Sequence, residues 1–399
     1  MITRREFLAG AGAAGALAAG VLAGHLIPDG GKPTAAAAGT GTSDGHLVVI
    51  TLYGGNDGLN TVVPYADPAY RSARPTLGYS AAEILELDDH LGLNGRLKGL
   101  HGLWQRGDLA VVRGVGYPNP NLSHFASMAI WQTANPVDGT GAGWLGRWLD
   151  SSDGDPMRAL SIGPTLPPML RGDRYSATAI TSAGVRLPGG TRLQAAFSAM
   201  QAAGPDRTGM AGQVAASGTG LLAAKERIDR LSAHSMSLGT GALAEQLGVV
   251  AGLITAGAPT QVYQASLSSF DTHASEKANH EMLLGELDTA VTGFLQAVSV
   301  SPAGRRTVVM TISEFGRRPA ENASGGTDHG TASPLLVAGH PVHGGRFYGD
   351  EPSLTALDAD GNLKYTVDFR SVYATVLARV LGADPEKVLG GKFPSLAFV

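Results

Sequence analysis

His46-Leu47-Val48-Val49-Ile50-Thr51-Leu52-Tyr53 runs straight into Gly54-Gly55-Asn56-Asp57-Gly58. The first part is short, apolar and β-branched, which predicts a buried strand. The second part is a glycine-rich loop carrying a carboxylate. The same pairing recurs downstream. Leu109–Val115 (LAVVRGV) precedes Gly116-Tyr117-Pro118-Asn119-Pro120-Asn121, and Arg306–Ile312 (RTVVMTI) precedes Ser313-Glu314-Phe315-Gly316. Thr260–Tyr263 and Pro334–Ala338 are further strand-like runs.

Helical stretches fall between these strands. Ser123 opens one that runs through Trp131, and Ala242–Ile254 is a second. Glu281–Val298 is the clearest, with Leu284, Leu287, Val291, Phe294, Leu295 and Val298 on one face. Val372–Leu381 closes the chain, and the later part of the Ala-rich run Gln213–His234 also reads as helix. Apolar strands alternating with helices predict an α/β fold: a mostly parallel central sheet flanked by helices on both faces. The span 46–399 reads as one domain, with an insertion around 151–235 rich in Pro and Gly turns.

The chain of 399 residues has 43% hydrophobic and 16% charged residues, which suits a packed core rather than disorder. Its 56 glycines follow no period, so they mark turns and not a fibre. Net charge is −4 with no basic cluster beyond the N-terminus, which argues against nucleic acid as a partner. The absence of cysteine excludes disulfides, thiolate metal sites and cysteine nucleophiles.

Residues 1–38 read as a twin-arginine signal peptide. Thr3-Arg4-Arg5-Glu6-Phe7-Leu8 precedes a weakly apolar run from Ala9 to Ile27, and Ala35-Ala36-Ala37-Ala38 supplies the cleavage end. The run is rich in Ala and Gly with His25 near its end, so it makes a poor permanent membrane span; an uncleaved anchor is the alternative. The expected partner during export is the twin-arginine translocase. The expected destination is the periplasm, the cell wall or the medium.

In open α/β sheets, ligands bind beyond the carboxyl ends of the strands. Carboxylates and histidines gather there in this sequence: Asp57, the Ser123-His124 pair, Asp271-Thr272-His273, Glu314 and Asp328-His329. Without thiolates, such groups are ligands for zinc, manganese, calcium or a similar divalent ion. Ser123 stands at a helix start, where backbone N–H groups favour an anion, so it suits a metal-assisted nucleophile. Each residue also has a plain structural use. Ser123 suits an N-cap, Asp57 ordinary turn chemistry, Glu314 a surface pair with Arg317 or Arg318, and His273 and His280 the surface around a helix start. His340 and His343 read as surface residues. Asp328-His329-Gly330 has no evident packing purpose.

Long segments of the chain resemble the exported bacterial family known as domain of unknown function 1501. They are Tyr53–Tyr65 (YGGNDGLNTVVPY), Leu122-Ser123-His124-Phe125, Gly143-Trp144-Leu145-Gly146-Arg147, Phe270-Asp271-Thr272-His273 and Ser313-Glu314-Phe315-Gly316-Arg317. Gly326–Ala332 (GTDHGTA), Gly344-Gly345 and Asp368–Tyr373 (DFRSVY) continue it, so the likeness spans 46–399. That family is in turn similar to the alkaline phosphatase and sulfatase superfamily. The resemblance implies an exported metal-dependent hydrolase of phosphate or sulfate esters, acting on a small ester or a cell-envelope substrate. It casts Ser123 as the nucleophile. Asp57, Asp271, His273, Glu314 and His329 become metal ligands, with Asp328 in place of a missing imidazole. Two departures stand out: the middle pair is Asp-x-His where Asp-x-x-x-His is usual, and Phe315 follows Glu314 where a His is expected. They keep open a non-catalytic exported binding protein that retains the fold.

Overall fold

The computed structural model describes residues 45–152, 155, 157–181, 190–202, 225–226, 230 and 235–399. The expected leader, 1–38, lies outside the described residues. So does most of the expected helix Gln213–His234, although Lys225, Glu226 and Arg230 are helical.

Strand β1 (His46–Leu52) leads into α1 (Gly58–Thr61), β2 (Val62–Val63), α2 (Pro68–Ala73), β3 (Ile84–Glu86) and β4 (Gly92–Asn94). Strands β2, β4 and β3 form a small antiparallel sheet. Next come α3 (Lys98–Arg106), β5 (Leu109–Gly116), α4 (His124–Thr133), α5 (Trp144–Asp150), β6 (Ala159–Ile162), β7 (Thr178–Ile180) and α6 (Thr191–Ala202). The chain continues through α7 (Ala242–Thr255), β8 (Val262–Leu267), α8 (Glu276–Val298), β9 (Thr307–Ile312), the hairpin β10 (Arg317–Glu321) and β11 (Thr327–His329), and β12 (Ser333–Ala338). It ends with β13 (Arg346–Tyr348), β14 (Val367–Asp368), α9 (Phe369–Arg379) and α10 (Pro385–Leu389).

The main sheet has the order β13-β5-β12-β9-β1-β8-β6-β7, with β14 also pairing with β5. Its central strand is β1, parallel to β8 on one side and β9 on the other. Successive side chains of a strand point to opposite faces. Leu47 and Val49 therefore join Trp144, Trp148, Phe369 and Tyr373 in one buried layer. Val48, Ile50 and Leu52 join Leu243, Leu247, Leu284 and Phe294 in the other. Both faces of β1 are covered, so its sequence is apolar at nearly every position instead of alternating. The architecture is the expected one, a mostly parallel sheet between helical layers.

Strand β12 is the exception. It runs antiparallel to both β5 and β9. Its start, Ser333, lies at the edge where β5 ends, and its end, Ala338, lies at the opposite edge, where β5 begins. His340 and His343, which follow it, are thereby carried away from the carboxyl ends of the other strands.

The structure moves three boundaries. The strand expected at Thr260–Tyr263 spans Val262–Leu267, because Gln264 and Ser266 join it with their polar groups satisfied: Ser161 Oγ donates to Gln264 Oε1 (2.7 Å), and Ser266 N donates to Gln246 Oε1 (2.9 Å). Helix α8 begins at Glu276 rather than Glu281, and its first turns bury Glu276 and His280, polar residues that an apolar stripe does not reveal. Part of the span 151–235, expected as an insertion, belongs to the sheet, since β6 and β7 extend it beyond β8.

Candidate metal centre

Strands β1, β5, β8 and β9 deliver their following loops to one edge. Gly54 ends β1 with φ +118°, a conformation that glycine adopts without strain; a side chain there would collide with Phe270 and the Asp271 N–H. This lets the β1 exit lie against the β8 exit, where Phe270 N donates to Tyr53 O (3.1 Å).

Three imidazoles meet one carboxylate at this edge. Nε2 of His124, His273 and His329 lies 3.4, 3.0 and 3.3 Å from an oxygen of Asp271. The outer nitrogen of each ring faces an oxygen. His124 Nδ1 is 2.8 Å from Glu314 Oε1, His329 Nδ1 is 2.8 Å from the Leu122 carbonyl, and His273 Nδ1 is 3.4 Å from Asp328 Oδ1. A proton on each Nδ1 satisfies these contacts and leaves the Nε2 lone pairs facing Asp271. Lone pairs turned on a carboxylate repel unless a cation or protons lie between them. His124 Nε2 is buried without a hydrogen-bond partner, and His273 Nε2 and His329 Nε2 are 3.0 Å apart. One atom each of His124, Asp271 and His329 falls within 4.8 Å of the others. The donor set of three imidazoles and one carboxylate fits zinc or a similar divalent ion.

Arg317 fixes the carboxylate. Its side chain is fully buried; Nη2 donates to Asp271 Oδ1 (2.8 Å), and other nitrogens donate to the carbonyls of Gly55 and Thr327 (2.7 and 2.9 Å). Burial works against the charged carboxylate, but the Arg317 guanidinium hydrogen-bonded to it outweighs that and holds Asp271 down at about 2. Burial also pushes the His329 imidazole below its usual range. Phe315, where an imidazole was expected, packs its ring 4.6 Å from that of His329 and 5.0 Å from that of His124.

Ser123 is the N-cap of α4, exposed, with no capping hydrogen bond from its side chain. Leu122, which holds His329, precedes it in the chain, and His124 follows it. Glu314 is buried and accepts from Gly54 N (2.9 Å) as well as facing His124, so it is not the surface partner of Arg317 or Arg318.

Asp271, His273, Glu314, Asp328 and His329 are thus brought together, Glu314 and Asp328 as supports of imidazoles. Asp57 is not among them. It lies beneath, fully buried, with both oxygens taken by Arg74 at 2.5 and 2.9 Å. Burial would raise its pKa, but the guanidinium holds its carboxyl well below the usual range. His280, expected at the surface, is also buried here, 2.9 Å from Asn56 Oδ1, and burial pushes it down to about 4. His340 is exposed near Asp108, at the far edge. His124 is the residue the sequence reading passed over as a ligand. The signal was present in its position beside Ser123 at a strand-to-helix turn. Arg74 and Arg317 carried none.

Glu276 completes the buried floor. Its Oε2 accepts from Thr327 Oγ1 (2.6 Å), while its Oε1 is buried without a hydrogen-bond partner near Asp57. Burial first, and the Asp57 charge second, push its carboxyl up to about 9. Between the ordinary 4.5 and about 9, the folded state holds a proton that the unfolded chain has released. Stability from this group is therefore complete below 4.5 and is lost as pH rises through that window. Glu276→Gln keeps a neutral, hydrogen-bonding group and removes the loss. Urea unfolding at pH 5 and pH 8.5 is expected to show the variant gaining roughly 1 kcal/mol or more on the wild type at the higher pH. Parallel pH curves would contradict a protonated Glu276.

The family model described as protein of unknown function (DUF1501) matches residues 110–393, and the chain belongs to that family. No curated protein matches it. Among solved structures it is similar to a protein in the alkaline phosphatase superfamily from Vibrio parahaemolyticus (10% identity, 88% of this chain, 71% of that chain, TM-score 0.39). It is also similar to the C-terminal periplasmic domain of EcEptC from Escherichia coli (10%, 88% and 88%, TM-score 0.39). A third is the phosphonate monoester hydrolase of Agrobacterium radiobacter (9%, 87% and 78%, TM-score 0.35). No helix of the described residues is long and apolar enough to cross a membrane.

Proposed function

We propose that the chain is exported by the twin-arginine pathway and hydrolyses phosphate or sulfate esters with one divalent cation, using Ser123 as nucleophile. The observation that carries this reading is the convergence of three Nε2 atoms on Asp271 beside Ser123 at the start of α4. His124, Asp271, His273 and His329 would hold the ion. When bound, it would supply Lewis-acid polarisation of the ester oxygens and favour the serine alkoxide.

The chain's own groups do the rest. Glu314, the Leu122 carbonyl and Asp328 orient the three imidazoles. Arg317 orients Asp271 and offsets its charge. The first N–H groups of α4 stabilise negative charge gathering on the oxoanion. Ser123 Oγ bonds to phosphorus or sulfur as the bond to the alcohol oxygen breaks. One proton leaves the hydroxyl, and one is taken up by the departing alkoxide. Water then cleaves the seryl ester and restores the hydroxyl. With Asp57 paired to Arg74 and Glu314 engaged by His124 and Gly54 N, the donors left at this edge among the described residues make one site.

The test is metal analysis of the purified mature protein, with hydrolysis of aryl phosphate and aryl sulfate before and after chelation. About one equivalent of metal is expected, with activity lost on chelation and restored by zinc, manganese or calcium. A protein that takes up no metal and cleaves neither ester would be the alternative, an exported binding protein that keeps the fold.

A further inference from the structure

Helix α4 grips Glu314 at two points. His124 and Ser127 are three residues apart, so they lie one turn apart on the same side of the helix. His124 Nδ1 faces the side-chain Oε1 of Glu314 at 2.8 Å, and Ser127 Oγ donates to the Glu314 carbonyl. Glu314 lies two residues past the end of β9, so the sheet ladder does not take up that carbonyl. The residue is buried, and its carbonyl needs a donor.

Ser127 is the middle of a longer chain. A hydroxyl carries one proton. The proton of Ser127 goes to Glu314, so Tyr117 donates its own to Ser127 Oγ, 2.6 Å away. The Tyr117 oxygen in turn accepts from Asn121 N (3.0 Å), and Asn121 Oδ1 accepts from Ser123 N (2.9 Å). Ser127 and Tyr117 are both buried, and the Tyr117 ring packs against that of Phe369 at 5.9 Å. The protons from Asn121 N onward point one way, from the loop before Ser123 to the loop after β9, and each bond polarises the next.

We infer that Tyr117 and Ser127 are positioning residues of the metal centre. Together they set the rotation of α4 against β9, and with it the place of His124 Nε2, 3.4 Å from Asp271, and of Ser123 at the helix start. His124 is the ligand most sensitive to that rotation, because α4 carries it, while His273 and His329 come from other elements. A misplacement of about 1 Å at a reacting group can cost about a hundredfold in rate. The inference rests on the proposed metal centre, but its test reads the ion without any reaction.

Cobalt(II) is the probe, since its visible absorption reports the geometry of its ligands. Ser127→Ala and Tyr117→Phe each remove a single oxygen, so both variants are expected to fold, and thermal melts check this. Cobalt affinity is expected to fall about tenfold or more in each, the scale of losing an outer partner of a metal ligand, and the absorption band to change. Either substitution breaks the same chain, so the double variant is expected to bind about as well as Ser127→Ala alone, not to show the product of the two losses. At saturating metal, kcat for aryl phosphate or sulfate is expected to fall about tenfold or more in both variants. A merely structural pair would lower the melting temperature and leave cobalt affinity and absorption unchanged, which overturns the inference. If the wild type cleaves esters and both variants match it in cobalt binding and kcat, the positioning role falls and the hydrolase reading stands. If cobalt binding weakens in the variants but even the wild type cleaves no ester, the positioning role stands and the hydrolase reading falls. A wild type that takes up no cobalt overturns both.

Discussion

Arg74→Met is expected to lower the stability of the folded protein by about 3–5 kcal/mol, the usual cost of leaving one member of a buried ion pair alone. Arg74 and Asp57 are both fully buried, and Arg74 also donates to the carbonyls of Pro319 (2.8 Å) and Arg318 (2.9 Å). Methionine fills similar space but leaves Asp57 charged with no counter-ion, beside Glu276. Asp57 then titrates upward, so the loss is larger at pH 8 than at pH 5. Adding Asp57→Asn removes the stranded charge and is expected to recover part of the stability. Urea unfolding of the single and double variants measures both effects. A loss under about 1 kcal/mol would mean that the pair is solvated rather than sealed. Because Arg74 bridges the β1 exit and β10, metal affinity is expected to fall along with stability.

Ser123→Ala is expected to reduce kcat for aryl phosphate or sulfate by about a thousandfold or more, the scale seen when a nucleophile is deleted. Metal content and the melting temperature are expected to change little. The side chain is exposed and makes no capping hydrogen bond, so its removal takes no packing with it. That split distinguishes a nucleophile from a ligand: His329→Ala or His124→Ala is expected to lose metal and activity together. Activity retained in Ser123→Ala would instead assign the attack to water, while leaving the metal centre intact.

Much of the fold was legible because burial on both faces forces local composition. His46–Leu52 is apolar almost throughout for that reason, and Leu284, Leu287 and Phe294 repeat with the helical period because one side of α8 packs on the sheet. The start of α8 was not legible, since Glu276 and His280 are polar and their burial depends on Thr327, Asp57 and Asn56 from elsewhere. The strand order was not legible either. Nothing local marks β12 as antiparallel, yet that reversal decides that Ser333 lies near the centre and His340 does not.

The sequence by itself determined the alternation of strands and helices, the placement of acids and imidazoles after strands, and the export signature of residues 1–38 as an expectation. These follow from local periodicity and composition, which each segment carries alone. Tertiary structure decided which of those groups share a site. Asp57 and Asp271 both follow strands, but a guanidinium from α2's C-cap covers the first, while the Nε2 atoms of His124, His273 and His329 lie 3.4, 3.0 and 3.3 Å from the second. The ion pair joins residues 17 positions apart, while His124 and His329 reach Asp271 from 147 and 58 positions away, and only the packed fold sets those distances.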